Sequence, residues 1–275
     1  LTVACLGLAA CKSPTPEPTV RPTAFSAQAE PTNEPSREDR LIFAHPEDAS
    51  KLDPSDVTDS ESLLVTWHLY EGLTRYKPGG SEIEPSLATE WSVSDDGLAW
   101  TFALRDGVTF HDGTPFDASS VVWNFERWFD PANPAHFADW SFEYWESMFQ
   151  GFKGEDADAD GTPDSFFESV AATGPLSVTL KLNRPSAPLL QNLAMSSFAM
   201  ASPTAILAAG SSYGTPNGNP IAVGTGPFKL KEWVPGDHIS LERYEGYWGT
   251  KPWLAELELR VIPDGTARYL SLANG

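Results

Sequence analysis

The chain has 275 residues, 41% hydrophobic and 20% charged, which fits a globular protein with a sizeable core and argues against wholesale disorder. Lys and Arg number 18 against 38 Asp and Glu, and the resulting formal charge of −20 repels phosphate backbones and argues against nucleic-acid binding. Both cysteines precede residue 12, excluding a disulfide framework or a cysteine metal site in the body, and no run approaches the roughly 18 apolar residues of a spanning helix.

Residues 1–11 end in Leu8-Ala9-Ala10-Cys11, a lipobox-like sequence at the tail of an apolar, small-residue stretch. On that reading Cys11 is the lipidated first residue of the mature protein. The alternative is a buried apolar strand with an incidental cysteine. Residues 12–40 hold six prolines among Ser, Thr and Glu and read as an extended, disordered tether. Both ends of the chain read as truncated.

Leu41-Ile42-Phe43-Ala44 is an apolar run and the expected first strand. Ser60 is placed to cap a helix carrying Leu63, Leu64, Trp67 and Tyr70, with Gly72 as its stop. Trp100, Phe102 and Leu104 alternate with polar or small residues between two Asp-Gly turns, the pattern of a half-buried strand. Asp117 is placed to cap a helix with Val121, Phe125, Trp128 and Phe129 on one face. Val178, Leu180 and Leu182 alternate again. Ser202-Pro203 opens a helix that Gly210 closes. Phe228, Leu230, Ile239 and Leu241 flank Pro235-Gly236-Asp237 as a hairpin, Leu257, Leu259 and Val261 form a strand, and Thr266 caps a final helix reaching Gly275. The class is α/β, mixed α+β, with a mixed sheet.

Three blocks resemble the family 5 extracellular solute-binding proteins of ABC importers, of the oligopeptide and dipeptide-binding type. The first is Trp67 to Tyr76 followed by Glu84 to Trp91. The second is Asp95 to Val108 followed by Phe110 to Phe116. The third is Gly224-Thr225-Gly226-Pro227-Phe228-Lys229-Leu230, then Tyr244 to Trp248. The resemblance implies a periplasmic-binding-protein clamshell. Its first lobe would be discontinuous, 41–80 and 185–275, around an inserted subdomain at 81–184, and its second lobe would follow residue 275. It implies capture rather than catalysis. A solute, a peptide by first expectation, would be enclosed by cleft closure and delivered to a membrane permease served by separate ATPase subunits, outside the cytoplasm on the periplasmic or cell-surface side. It also places the loop after the first strand, with Glu47 and Asp48, and the segment containing Phe198 and Met200 beside the ligand.

Trp140, Phe142, Tyr144, Trp145 and Phe149 cluster within ten positions. On a helix Phe142, Trp145 and Phe149 share one face, expected to be core. Trp140 and Tyr144 fall elsewhere and are candidates for the cleft.

The loop Asp156-Ala157-Asp158-Ala159-Asp160-Gly161-Thr162-Pro163-Asp164 places Asp at positions 1, 3 and 5, Gly at 6 and Asp at 9, like the start of a calcium loop. Thr162 and Glu168 complete the candidate ligand set. Phe167 stands where an EF-hand has its Glu, and no helical pattern precedes the loop. A solvated acidic insertion is the other reading. No cofactor is required by the sequence; on the calcium reading of this loop the ion would be structural.

Gly210-Ser211-Ser212-Tyr213-Gly214 matches a nucleophile elbow in letters only, because a helix precedes it where a strand is needed. Gly224-Thr225-Gly226 lacks the residues of a phosphate loop, and the five histidines are scattered. Two rival functions stay open at this point: a calcium-stabilised surface adhesion module and a secreted carbohydrate-active enzyme.

Overall fold

A computed structural model describes residues 39–217 and 221–274. Cys11, the tether as far as residue 38, and Gly275 lie outside the described residues.

The first sheet joins the two ends of the described chain. β1 (Arg40–His45) runs parallel to β10 (Glu256–Val261), and antiparallel β9 (His238–Arg243) and β8 (Phe228–Val234) follow, in the order β1-β10-β9-β8. The expected hairpin of β8 and β9 is present, with Gly236 at φ 74° in its turn. On β10 the alternation sends Leu257 and Leu259 into the core. Glu256 and Glu258 point the other way, yet they are only 7% and 2% exposed. Arg40 pairs with both, and Lys231 and Arg260 add further cations, so these buried carboxylates are compensated. Arg40, the last residue of the expected tether, is the first residue of β1, paired with Glu256 in the ladder.

The second sheet is antiparallel throughout. β4 (Ala88–Val93), β5 (Ala99–Leu104), β6 (Phe167–Gly174) and β7 (Ser177–Leu182) lie in the order β4-β5-β7-β6. Val178, Leu180, Leu182 and Phe102 are buried as the alternation predicts, whereas Trp100 is only half-buried. A short ribbon of β2 (Thr74–Tyr76) and β3 (Ile83–Pro85) precedes it.

Helix α1 (Ser60–Leu69) is capped by Asp59, one residue before the expected Ser60: the Asp59 side chain accepts from Ser62 N at 2.8 Å. Its C-cap is Tyr70, not Gly72. Gly72 answers a different need, since a Cβ there would lie 2.8 Å from the Leu193 carbonyl oxygen. Helix α2 (Ala118–Phe129) has the expected Asp117 cap, which accepts from Ser119 N and Ser120 N while Ser120 Oγ accepts from Asp117 N. α3 (Glu143–Phe149), α4 (Leu189–Leu193) and α5 (Pro203–Ala209, capped by Ser202 and closed by Gly210) follow. In α6 (Gly265–Asn274) it is Asp264, not Thr266, that accepts from the first turn, at Ala267 N.

The core is one continuous cluster, and its centre is aromatic. Phe125 of α2 stacks on Phe167 of β6 at 5.8 Å, Trp145 stacks on Phe149 at 4.2 Å, and Phe198 meets Trp128, Trp145 and Phe149 edge-on. Each such ring contributes about 1.5–3 kcal/mol through burial, with a smaller increment from edge-to-face geometry. Part of the aromatic abundance is thereby structural.

Candidate functional site

Two chain segments that share no sequence pattern are held together by buried charge. Asp53 caps the short 3-10 turn Pro54–Asp56, accepting from Ser55 N at 2.9 Å, and takes Arg127 of α2 at 3.1 and 3.2 Å. Both side chains are fully buried. The Arg127 guanidinium lies 5.5–6.0 Å from the ring centres of Trp123, Trp128, Trp140 and Phe142. Beside it Tyr70 and Tyr213 share a hydroxyl contact at 2.9 Å, and burial pushes both phenols up. This centre fixes the loop between β1 and α1 against the segment leading into α3.

The solvent-facing edge of that junction is polar. Thr58, Asp139 and Ser141 are exposed. Asp56 Oδ1 accepts from Ser141 N at 2.6 Å, and its carboxylate pairs with Lys51, whose ammonium sits 4.1 Å over the Trp140 ring. Partial burial pushes the Asp59 carboxyl up, but bonds from Ser50 and Ser62 outweigh it and hold it below the ordinary carboxylate value.

Of the side chains expected at a ligand, Glu47 is exposed on the loop after β1. Asp48 is taken up by Trp233 Nε1 at 3.1 Å and Gly236 N at 2.7 Å, so it braces the β8–β9 turn. Trp140 is 5% exposed and lies beneath Lys51; Tyr144 is half-buried against the core. Phe198 and Met200 are buried in the core cluster, 2% and 0% exposed. Asp53, Asp56 and Arg127 escaped the sequence reading because their partners lie 74 to 85 positions away.

The motif blocks meet elsewhere. His111 Nδ1 accepts from Gly224 N at 3.3 Å and its Nε2 bonds the Gly226 carbonyl at 3.0 Å, which sets the tautomer with hydrogen on Nε2. Burial pushes this imidazole down to about 4. A Cβ at Gly224 would lie 2.1 Å from the Leu69 carbonyl oxygen and one at Gly226 2.6 Å from that of His68, so both positions need glycine for close approach. Glu71 accepts from Thr225 Oγ1, Tyr247 Oη and Trp248 Nε1, and burial pushes its carboxyl up. It borders a groove of about 650 Å³ rimmed by Trp67, Arg75, Lys77 and Tyr247.

The acidic loop lines a wider cleft of about 750 Å³ with Glu146, Gln150 and Arg184. Carboxylate oxygens of Asp156, Asp158 and Asp164 lie within 4.8 Å of one another. Oxygens on one calcium ion, each about 2.4 Å from the metal, are spaced no wider than that. The loop is preformed by its own amides: Gly161 N and Asp160 N donate to Asp156, and Ala157 N donates to Asp164. Asp160 and Thr162 stand on the same loop but outside the close trio, with Asp160 Oδ1 accepting from Thr162 N. Glu168 is carried away onto β6. A helix, α3, does precede the loop, contrary to expectation, but a strand follows it, so this is no EF-hand.

A family model described as bacterial extracellular solute-binding proteins, family 5 Middle, matches residues 82–275. The dipeptide-binding protein of Escherichia coli strain K12 is 37% identical over 214 residues, covering 74% of this chain and 37% of its own. Among solved structures, the ABC transporter-associated periplasmic binding protein DppA from Helicobacter pylori, in complex with peptide STSA, has a TM-score of 0.74 at 33% identity over 86% of this chain and 45% of that one. A dipeptide binding protein from Pseudoalteromonas sp. SM9913, in complex with Met-Leu, also reaches 0.74 at 26% identity, over 86% and 45%. The chain spans less than half the length of each.

Proposed function

From a chain that belongs to the bacterial extracellular solute-binding proteins, family 5, we propose a receptor that captures peptides for an ABC importer. The family is one of binding proteins, which sets aside the carbohydrate-active enzyme. The fold is the mixed α/β fold of periplasmic binding proteins. The observation that carries the peptide reading is the match at 33% identity to a protein solved around a tetrapeptide, supported by the dipeptide-binding relative.

In this reading residues 41–80 and 185–275 form the first lobe and 81–184 its inserted subdomain. Glu47, free on the loop after β1, meets a solute amine, and Tyr144 lines the approach. Closure over the peptide creates the form that docks on the permease. Cys11 carries the lipid that keeps the receptor at the membrane. The test is calorimetric titration with Met-Leu and with peptide STSA, alongside fractionation of cells expressing Cys11→Ala. Binding in the micromolar range or tighter, and release of the variant from membranes, is the expected result. Heat-silent titrations with both peptides, in a folded protein, sink the peptide reading.

The Asp156, Asp158 and Asp164 trio suits a hard dication, and a calcium ion there would brace the loop rather than touch the solute. The mutual repulsion of the three carboxylates, only partly offset by Arg184 at the Asp164 carbonyl, favours that role.

A further inference from the structure

Resting on the solute-binding reading, we infer that Asp56 is a positioning residue that sets the shape of the solute-facing edge at Trp140–Phe142. Three observations meet there. Asp56 is almost fully enclosed (6% side-chain exposure), yet its carboxylate bridges two segments 85 residues apart, taking Ser141 N at 2.6 Å and pairing with Lys51. Lys51 in turn caps the Trp140 ring at 4.1 Å. Next to Ser141, Phe142 holds φ 45° in the left-handed region, an uncommon place for a bulky side chain, with no side-chain cap on the helix it opens.

Strain of this kind persists only when the surroundings over-determine it, and it gathers at ligand clamps. Phe142 is held from below by burial against His136, with ring centres 4.4 Å apart, and Trp140. It is held from above by the Asp56–Ser141 bond. Asp139 and Ser141 are exposed on either side of Trp140, and Thr58 is exposed two residues after Asp56. Asp56 therefore decides where Ser141 and the Trp140 backbone stand against the Pro54–Asp56 turn, and with it the shape of the edge offered to a peptide.

The experiment compares Asp56→Ala and Asp56→Asn with the unmodified chain, titrated with Met-Leu and peptide STSA. Val178→Ala, in the second sheet, serves as a control that lowers melting temperature elsewhere. Asp56→Ala should weaken peptide binding tenfold or more. Asp56→Asn, which keeps an acceptor oxygen for Ser141 N, should stay within about threefold, and Val178→Ala should bind normally. Unchanged affinity in Asp56→Ala, or equal losses in Asp56→Asn and Asp56→Ala, overturns the inference. An unmodified chain that binds neither peptide overturns the peptide reading alone. The near-ultraviolet signal of Trp140, isolated by difference from Trp140→Phe, then decides the positioning role: its collapse in Asp56→Ala upholds it and its persistence ends it.

Discussion

His111 clasps Gly226 from the side, its Nε2 3.0 Å from the glycine carbonyl, while the His111 amide donates to the Gly224 carbonyl at 2.9 Å. One residue of the second motif block thereby closes the turn of the third. The His111 ring is neutral in the fold because burial disfavours its charge.

A pH dependence follows. The folded value, about 4, lies below the ordinary 6.5, so the unfolded chain binds the proton first as pH falls. The His111 contribution is fully present above pH 6.5 and is lost between 6.5 and about 4. It amounts to at most about 3 kcal/mol. Urea titrations at pH 7.5 and 4.5 should show the fall, and His111→Asn should flatten it; an unflattened profile would move its origin elsewhere.

The glycine motif should be intolerant of a single methyl group. Gly224→Ala drives Cβ into the Leu69 carbonyl, 2.1 Å away. Backbone on both sides must shift, which costs on the order of 2–4 kcal/mol. Gly107→Ala, at φ 74° with open space around its Cβ, should lose about 1 kcal/mol. Chemical denaturation of the two variants side by side checks the order.

Breaking the Asp53–Arg127 pair from one side should cost about 3–5 kcal/mol, because the remaining charge is stranded in the core. Removing both in Asp53→Leu/Arg127→Met should cost clearly less than the sum of the single changes. A double-mutant cycle in guanidinium chloride gives the coupling; additive losses would mean that the two charges do not depend on each other.

Millimolar calcium should raise the melting temperature and EDTA should lower it, by several degrees, if Asp156, Asp158 and Asp164 hold the ion. Asp156→Asn/Asp158→Asn should abolish the response. A melting curve indifferent to calcium in the unmodified chain removes the ion from the account.

Strands were legible where one face is buried and the other is not: Val178, Leu180 and Leu182 announce β7 by alternation, and all three are buried. Asp117 was legible because a cap is a local affair, and Asp59 was missed by one position for the same reason, since an Asp-Ser pair offers two caps in a row. The candidate site was less legible. Trp140, Phe198 and Met200 look alike as apolar letters whether they line a cleft or fill a core, and only the packing of distant elements puts them inside. Asp48 reads as a free acid, yet the Trp233 indole that it accepts from lies 185 positions away. The acidic loop lies between these cases: its spacing brought out Asp156, Asp158 and Asp164, but the strand that removes Glu168 left no local mark.

The parallel pairing of β1 with β10 has a consequence in time. Arg40 meets Glu256, so among the described residues the first strand synthesised pairs with one made more than 200 residues later. At about 5–20 residues per second, synthesis leaves β1 without its neighbour for roughly 10–40 s. Leu41, Ile42 and Phe43 are consecutive on that strand and remain nearly half exposed even in the finished fold. During the wait they form a bare apolar edge of the kind that recruits a foreign strand. Whatever delays β10 therefore lengthens the time in which β1 is open to mispairing.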